Sequence, residues 1–277
     1  MSGELVTVAP HPALAGSVLR YEGFDQGDEA DFRFRALPCT FAPLILEFGG
    51  EWHLEDGRRP GGPPARLSSF AAGLGDGPVV IENRGRTRCL QIELTACGAR
   101  RLFGMPMHEL ANRSVDLRDV LGRAGDELVE RVAEAPDWAG RFALVDRALG
   151  ARLAAAAPAD AGVAWSLERI ARSGGRAAIG DLARELGWSH RRLIARFRDA
   201  VGLTPKRVAR VVRFERLTSL LDDATPVDWA RAAADLGYSD QSHLAREVRE
   251  LSGLTPTALR AERAEVNSVQ DRDSIAA

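Results

Sequence analysis

The chain is short of the residues on which most catalytic and cofactor chemistry rests. Its three cysteines, Cys39, Cys89 and Cys97, are odd in number and not closely paired, which fits a reducing compartment. They read as small buried hydrophobes, or as a redox pair or metal site; no CxxC motif is present. Five histidines are spread thinly: His11 near the start, His53 in a strand pattern, His108 in a helical segment, and His190 and His243 near the end. Only one therefore falls in the β-rich region, too few for a clustered His and carboxylate metal site. No Gly-rich phosphate loop or nucleophile elbow occurs. No apolar run approaches the ~20 residues of a membrane span, and Met1 to Pro12 has no signal-peptide core, so a cytoplasmic protein is expected. The expectation is no enzyme, no cofactor and no metal.

What is present is a repeat. Leu182-Ala-Arg-Glu-Leu-Gly-Trp-Ser189 returns as Ala232-Ala-Ala-Asp-Leu-Gly-Tyr-Ser239. Gly202-Leu-Thr-Pro205 returns as Gly253-Leu-Thr-Pro256. Between them Leu193 and Phe197, and then Leu244 and Val248, keep the i, i+4 spacing of a buried helical stripe. Gly187 and Gly237 supply left-handed helix ends. Ser189 is a ready N-cap for the helix that follows, and Ser239 competes with Asp240 for the same place in the second copy. Thr204-Pro205 and Thr255-Pro256 pair a cap with a proline at the first helical position. Each copy reads as helix, tight turn, helix: the helix-turn-helix pattern, whose second helix lies in the DNA major groove.

Charge follows the repeat. Residues 163–277 hold 19 Arg/Lys against 16 Asp/Glu, although the whole chain has a net charge of −2. Within 184–216 ten basic residues face only three acidic ones, on a recognition-helix pattern and the helix after it. That is the footprint of phosphate contact.

A tandem pair of these motifs joined by one long helix, 205–222, resembles the AraC-type (AraC/XylS) transcriptional regulators, over roughly the last two-fifths of the chain. The resemblance implies a sequence-specific DNA-binding regulator, an activator by family habit, with double-stranded DNA and RNA polymerase as partners. It also implies an N-terminal cupin-like barrel that takes a small-molecule effector. The sequence by itself gives strands and turns up to about residue 97. These include Leu44–Phe48 and Glu51–Leu54 as a hairpin about Gly49-Gly50, an exposed loop over 56–64, Leu67–Ala71, Val79–Glu82 and Cys89–Leu94. Helical spacing follows over 98–103, 117–121, 126–135 and 138–153, with Asp137 as an N-cap. The stripe Leu144, Ala148, Leu149 supports two readings, a homodimer through 126–153 or packing on the chain's own barrel.

The fold class is thus α+β: a β-rich barrel followed by helices, then an all-α domain with two helix-turn-helix motifs. Its divisions are 1–157, a linker at 158–162, the DNA-binding domain at 163–265 and a disordered tail at 266–277. Helical-wheel placement assigns base contacts to Arg191 and Arg192 in the first motif and to Ser242 and Arg246 in the second, and Gln241, in the first turn, can also reach a base edge. Phosphate contacts fall to Ser189, Arg198, Lys206, Arg207, Arg210, Ser239 and Arg249. Family members carry an Arg where Ala195 stands and a Phe where Val248 stands, which moves readout by the first motif to Arg191 and Arg192. Phe34, Phe41, Phe48 and Trp52, with Arg88 and Glu93 as polar anchors, are the candidate effector pocket. The competing readings are a cupin-type enzyme and a protein-interaction module with a helical appendage.

Overall fold

The computed structural model describes residues 4–27, 31–59, 61–83, 85–222 and 226–264. The expected tail at 266–277 lies outside them. The chain begins with nine strands: β1 (Glu4–Val8), β2 (Val18–Asp25), β3 (Phe32–Ala36), β4 (Phe41–Glu47), β5 (Trp52–Asp56), β6 (Ala65–Leu67), β7 (Phe70–Ala72), β8 (Val79–Asn83) and β9 (Arg88–Thr95). After α1 (Ala96–Phe103) and a short strand β10 (Ser114–Asp116) come α2 (Leu117–Leu121), α3 (Arg123–Glu134) and α4 (Trp138–Ala155). The strands form two antiparallel sheets, in the orders β1-β2-β9-β4-β7-β10 and β3-β8-β5-β6. The sheets face one another as two halves of a barrel, and no strand ladder joins their edges among the described residues.

Both faces of the six-stranded sheet are covered. Successive side chains alternate, so Ala42, Leu44 and Leu46 of β4 and Leu90, Ile92 and Leu94 of β9 pack on the helices. Ile45 and Cys89 turn instead toward Trp52, Leu54 and Phe70 between the sheets. Glu93 shares that second face and is buried. Tyr21 of β2 stacks on Phe142 of α4 and donates its hydroxyl to Asp146 at 2.8 Å.

Gly49-Gly50 is not a hairpin turn. β4 and β5 lie in different sheets, and the glycines carry the chain from one to the other. A Cβ at Gly49 would stand 2.7 Å from the Arg88 nitrogen, and one at Gly50 2.5 Å from the Arg86 oxygen. Glu47 closes the corner by accepting from the N–H groups of Gly49, Gly50 and Arg88 and from Trp52 Nε1. The single strand expected over Leu67–Ala71 is likewise split between the sheets as β6 and β7. Ser69, at the crossing, donates to the Glu47 carbonyl.

The helical half contains α5 (Ala161–Arg172), α6 (Ile179–Glu185), α7 (His190–Val201), α8 (Pro205–Leu221), α9 (Trp229–Leu236) and α10 (Gln241–Ser252). Residues 256–264 are helical as well. The linker is placed earlier than 158–162: Asp160 caps α5 by accepting from the N–H groups of Gly162 and Val163, which draws 161–162 into the helix. On α4, Leu149 is buried and Leu144 and Ala148 pack against the same core, so this stripe is used within the chain.

The halves are not separate beads. Leu102, Phe103, Met107 and Leu110 belong to the same apolar cluster as Phe197, Val201 and Leu203. Gly202, at φ +91°, ends α7 with its Cα so near the β half that a Cβ would lie 2.7 Å from the Met107 carbonyl oxygen. Arg100 pairs with Asp199 at 3.2 Å and Arg35 with Glu262 at 3.2 Å. Glu215 of α8 accepts from Thr40, at 2.7 Å from its nitrogen and 3.0 Å from its hydroxyl.

Candidate nucleic-acid interface

The two repeats fold as α6-turn-α7 and α9-turn-α10, with Gly187 at φ +64° and Gly237 at φ +80° in the turns. The caps differ between them. Ser189 caps α7 by accepting from the Arg192 N–H at 3.2 Å. In the second motif Asp240 takes that role, accepting from the His243 N–H at 2.7 Å. Ser239 donates to Asp240 instead, at 3.2 Å. Leu244 follows Gly237 by seven residues where Leu193 follows Gly187 by six, and this extra residue shifts the cap by one position. Asp240 accepts from the His243 N–H and is near Arg246, which keeps its carboxyl below the usual range.

Each recognition helix buries one face in its own motif. α7 buries Leu193, Phe197, Ala200 and Val201. α10 buries Leu244, Glu247, Val248, Leu251 and Ser252. The base-reading candidates Arg191 and Arg192 on α7, and Gln241, Ser242 and Arg246 on α10, are all exposed, with Gln241 in the first turn of its helix. Arg192 lies over the Trp188 ring at 4.9 Å, an arrangement that orients its guanidinium. Arg198, Lys206 and Arg249 are also exposed.

The basic stretch 184–216 is only partly turned outward. Arg196 pairs with Asp160, Arg184 with Asp181, and Arg207 with Asp76. Arg210 is held by Glu247 and Glu250, and Arg213 by Glu247. These last two Arg serve the inside of the domain, since Glu247 is 4% exposed. Arg191, Arg192, Arg198, Lys206 and Arg216 take no ion pair among the described residues, and they form the outward remainder of the stretch.

The connecting helix explains its own composition. At 17 residues α8 is about 25 Å long. It buries Val208, Ala209 and Val212 toward α5 to α7, and Phe214, Leu217 and Leu221 toward α9 and α10. A single helix thus serves as a core element for both motifs.

The six pocket candidates are not drawn around one space. Phe48 and Arg88 lie on the helix-covered face of the six-stranded sheet. Phe48 is beside Trp138 at 6.3 Å, and Arg88 pairs with Asp25 at 2.6 Å. Trp52 is between the sheets, edge-on to Phe32 and Phe70. Phe34 is 41% exposed beside Phe32, Phe41 is half-buried, and Glu93 pairs with Arg20 at 2.8 Å. Three side chains that the sequence did not single out share the inter-sheet layer with Trp52. By strand alternation Gln26, Asn83 and Thr87 follow Phe24, Ile81 and Cys89 on that face, and Gln26 Oε1, Asn83 Oδ1 and Thr87 Oγ1 are buried without a hydrogen-bond partner. Among the described residues no group of three or more His, Cys, Asp or Glu is placed to hold a metal ion. No helix there is long and apolar enough to cross a membrane.

Comparison with known proteins bears on both halves. Residues 182–262 match the family model of a helix-turn-helix domain. Residues 6–116 match that of a domain of unknown function (DUF6597). A search of curated proteins gives no match. Among solved structures the chain is similar to ToxT from Vibrio cholerae O395, with 11% identity, a TM-score of 0.45, and 87% of this chain and 96% of that one covered. It is similar to ToxT from Vibrio cholerae strain SCE256 bound to an unsaturated fatty acid, with 10% identity, a TM-score of 0.45 and coverage of 88% and 95%. The AraC-like transcriptional activator CuxR gives 16% identity, a TM-score of 0.24 and coverage of 82% and 91%. With its doubled motif and the match over residues 182–262, this part of the chain is a DNA-binding helix-turn-helix domain of the AraC type.

Proposed function

We propose that this regulator reads one DNA duplex with both motifs, entering adjacent major grooves with α7 and α10. The observation that carries the reading is the pair of exposed polar faces, Arg191 and Arg192 on one helix and Gln241, Ser242 and Arg246 on the other. A buried apolar stripe on each helix fixes it in place. Arg reads guanine O6 and N7, and Gln reads adenine N6 and N7, both in bidentate fashion. Arg198, Lys206 and Arg249 hold the phosphates on either side. Ser189 and Ser239, at the helix starts, add short contacts to the backbone. Arg207 joins the phosphate set once it leaves Asp76, whereas Arg210 is committed to Glu247 and Glu250 and drops out of it. A protein-interaction module would have no use for this polarity of faces.

Selection of bound sequences from a random duplex library, followed by mobility shift against competitor DNA, tests the reading. Recovery of a two-part site is expected; binding without preference over competitor would end it. The activating sense and a contact with RNA polymerase come with the family, and a promoter fusion carrying the selected site measures the first directly.

For the β half, we propose that a small effector binds in the layer around Trp52. Three buried, unpartnered polar atoms beside an aromatic cluster support it, because each is costly unless something hydrogen-bonds to it. An effector binding there quenches tryptophan fluorescence, and Trp52→Phe removes the response. A candidate effector that quenches equally in that variant binds elsewhere.

A further inference from the structure

The apolar core is divided along α8. Val208, Ala209 and Val212 belong to the cluster of the first motif, Phe214, Leu217 and Leu221 to that of the second, and the two clusters share no member. A groove of about 350 Å³, lined by Gly175, Arg176, Lys206, Ala209, Arg213 and Gly237, runs between the motifs on one side of the helix. The bonds that span this gap are polar. Arg213 donates through Nη1 to the Gly175 carbonyl at 3.2 Å, on the turn that precedes α6. Through Nη2 it reaches both oxygens of Glu247 on α10, at 3.1 and 3.2 Å. Its guanidinium also lies over the Tyr238 ring, 5.3 Å from the centroid. Arg210, almost one helical turn earlier, donates to the same Glu247 at 2.9 Å. Gly175, at φ +77°, seats the turn so closely on α8 that a Cβ would stand 2.2 Å from the Ala209 oxygen.

Such a hub is a poor stabilising device. Burial of ions is costly, and apolar side chains of similar size often do as well or better. Here Arg213 Nε is moreover left buried without a partner. What the hub does determine is direction. Glu247 lies between the exposed Arg246 and the buried Val248, so a carboxylate gripped from two positions on α8 fixes the rotation of α10 about its own axis. We propose that Glu247, held by Arg213 and Arg210, is a positioning residue that sets the second recognition helix relative to the first, and with it the half-site separation that the protein accepts. The inference rests on the reading that both motifs engage one duplex.

The test uses the full chain and duplexes carrying a site selected by the wild type, with one base pair added or removed between its halves. Each base pair shifts the far half by ~3.4 Å and turns it by roughly 35°. Wild-type protein is expected to lose about tenfold or more in affinity for each such change. The double variant Arg213→Met/Glu247→Met replaces the hub by apolar side chains of similar reach, so its melting temperature is kept or raised. Its spacing penalty is expected to fall to about threefold, with affinity for a single isolated half-site unchanged. Glu247→Gln, which keeps the shape and one acceptor, should fall between. A double variant that folds and still shows the full wild-type penalty overturns the proposal. If it fails to fold by circular dichroism, Glu247→Gln decides, and an unchanged penalty there overturns it. A wild type indifferent to spacing removes both this inference and the two-motif reading; a spacing-sensitive wild type with equally sensitive variants removes the inference alone.

Discussion

The carboxylate of Asp76, in the β half, holds the Arg207 guanidinium of α8 at 2.5 Å and that of Arg58 at 2.6 Å. Asp76 is buried, while the Arg207 side chain is 47% exposed. A DNA phosphate approaching the start of α8 therefore competes with a carboxylate of the same chain. Asp76→Asn is expected to free Arg207 for the backbone. Binding to random duplexes then strengthens, and the slope of log K against log salt steepens by about 0.9 for the added phosphate contact. Fluorescence anisotropy across a salt series measures it. An unchanged slope would mean that Arg207 has no part in phosphate binding.

Glu215 carries another contact between the halves, and its charge works against the packing. Burial pushes its carboxyl above the usual range, the donors on Thr40 pull the other way, and Glu93 adds to the rise. Burial raises Glu93 too, opposed by Arg20. A carboxyl whose folded value is raised binds its proton more tightly in the folded state. Its cost is therefore fully felt at neutral pH, and it is relieved as pH falls through the folded value toward the ordinary ~4.3. Below about 3.9 the opposite effect takes over, since Asp25 and Asp76 are held low in the fold by their arginines against the raising effect of burial. Thermal midpoints should thus rise on mild acidification and then fall. Glu215→Gln keeps an acceptor for Thr40 and should raise the midpoint at neutral pH while flattening the first limb. A variant with an unaltered pH profile would show that this carboxyl contributes nothing to it.

The seam between the halves gives a third prediction. Gly202 needs its positive φ to end α7 and also lies against the Met107 carbonyl. Gly202→Ala meets both obstacles, and the backbone conformation alone costs on the order of 1–3 kcal/mol. Thermal melting of the full chain should fall by several degrees. Loss of the cooperative single transition would further show that the halves unfold together only while this contact holds.

How far the sequence carried can be judged from particular positions. The two motifs were legible because caps, glycines and the i, i+4 stripes of α7 and α10 are local signals that repeat. Glu247 was legible in principle as well: with Leu244, Val248 and Leu251 inward, an acid at 247 falls on the buried side and requires a basic partner. The Gly49-Gly50 crossing was read as a hairpin because the pattern of alternation is the same whether a strand pairs with its neighbour or leaves for the facing sheet. The burial of Glu93 could not be read from its strand, because alternation does not reveal that both faces are covered. Asp76 with Arg207, and Thr40 with Glu215, are 131 and 175 residues apart and leave no local trace. The basic stretch therefore looked more available to DNA than it is.

Arg246 gives the sharpest test of direct readout. It projects from α10 opposite the buried Leu244, Val248 and Leu251. A purely structural role would be an i, i+4 pair with Glu250, but Glu250 is taken by Arg210 from α8. The Asp240 carboxyl is near enough to feel the Arg246 charge, so truncation also removes a small favourable interaction at the start of the helix. That interaction is exposed and screened, and it is the same whichever sequence is bound. If Arg246 grips a guanine, Arg246→Ala costs about 1–3 kcal/mol on the selected site and relaxes preference at a single base pair. Binding to random duplexes should change much less, and by the amount expected for one lost positive charge. Anisotropy titrations on the selected site, on its single-base variants and on random DNA separate the outcomes. An equal loss on all of them would reduce Arg246 to a phosphate contact, and recognition by the second motif would then have to rest on Gln241 and Ser242.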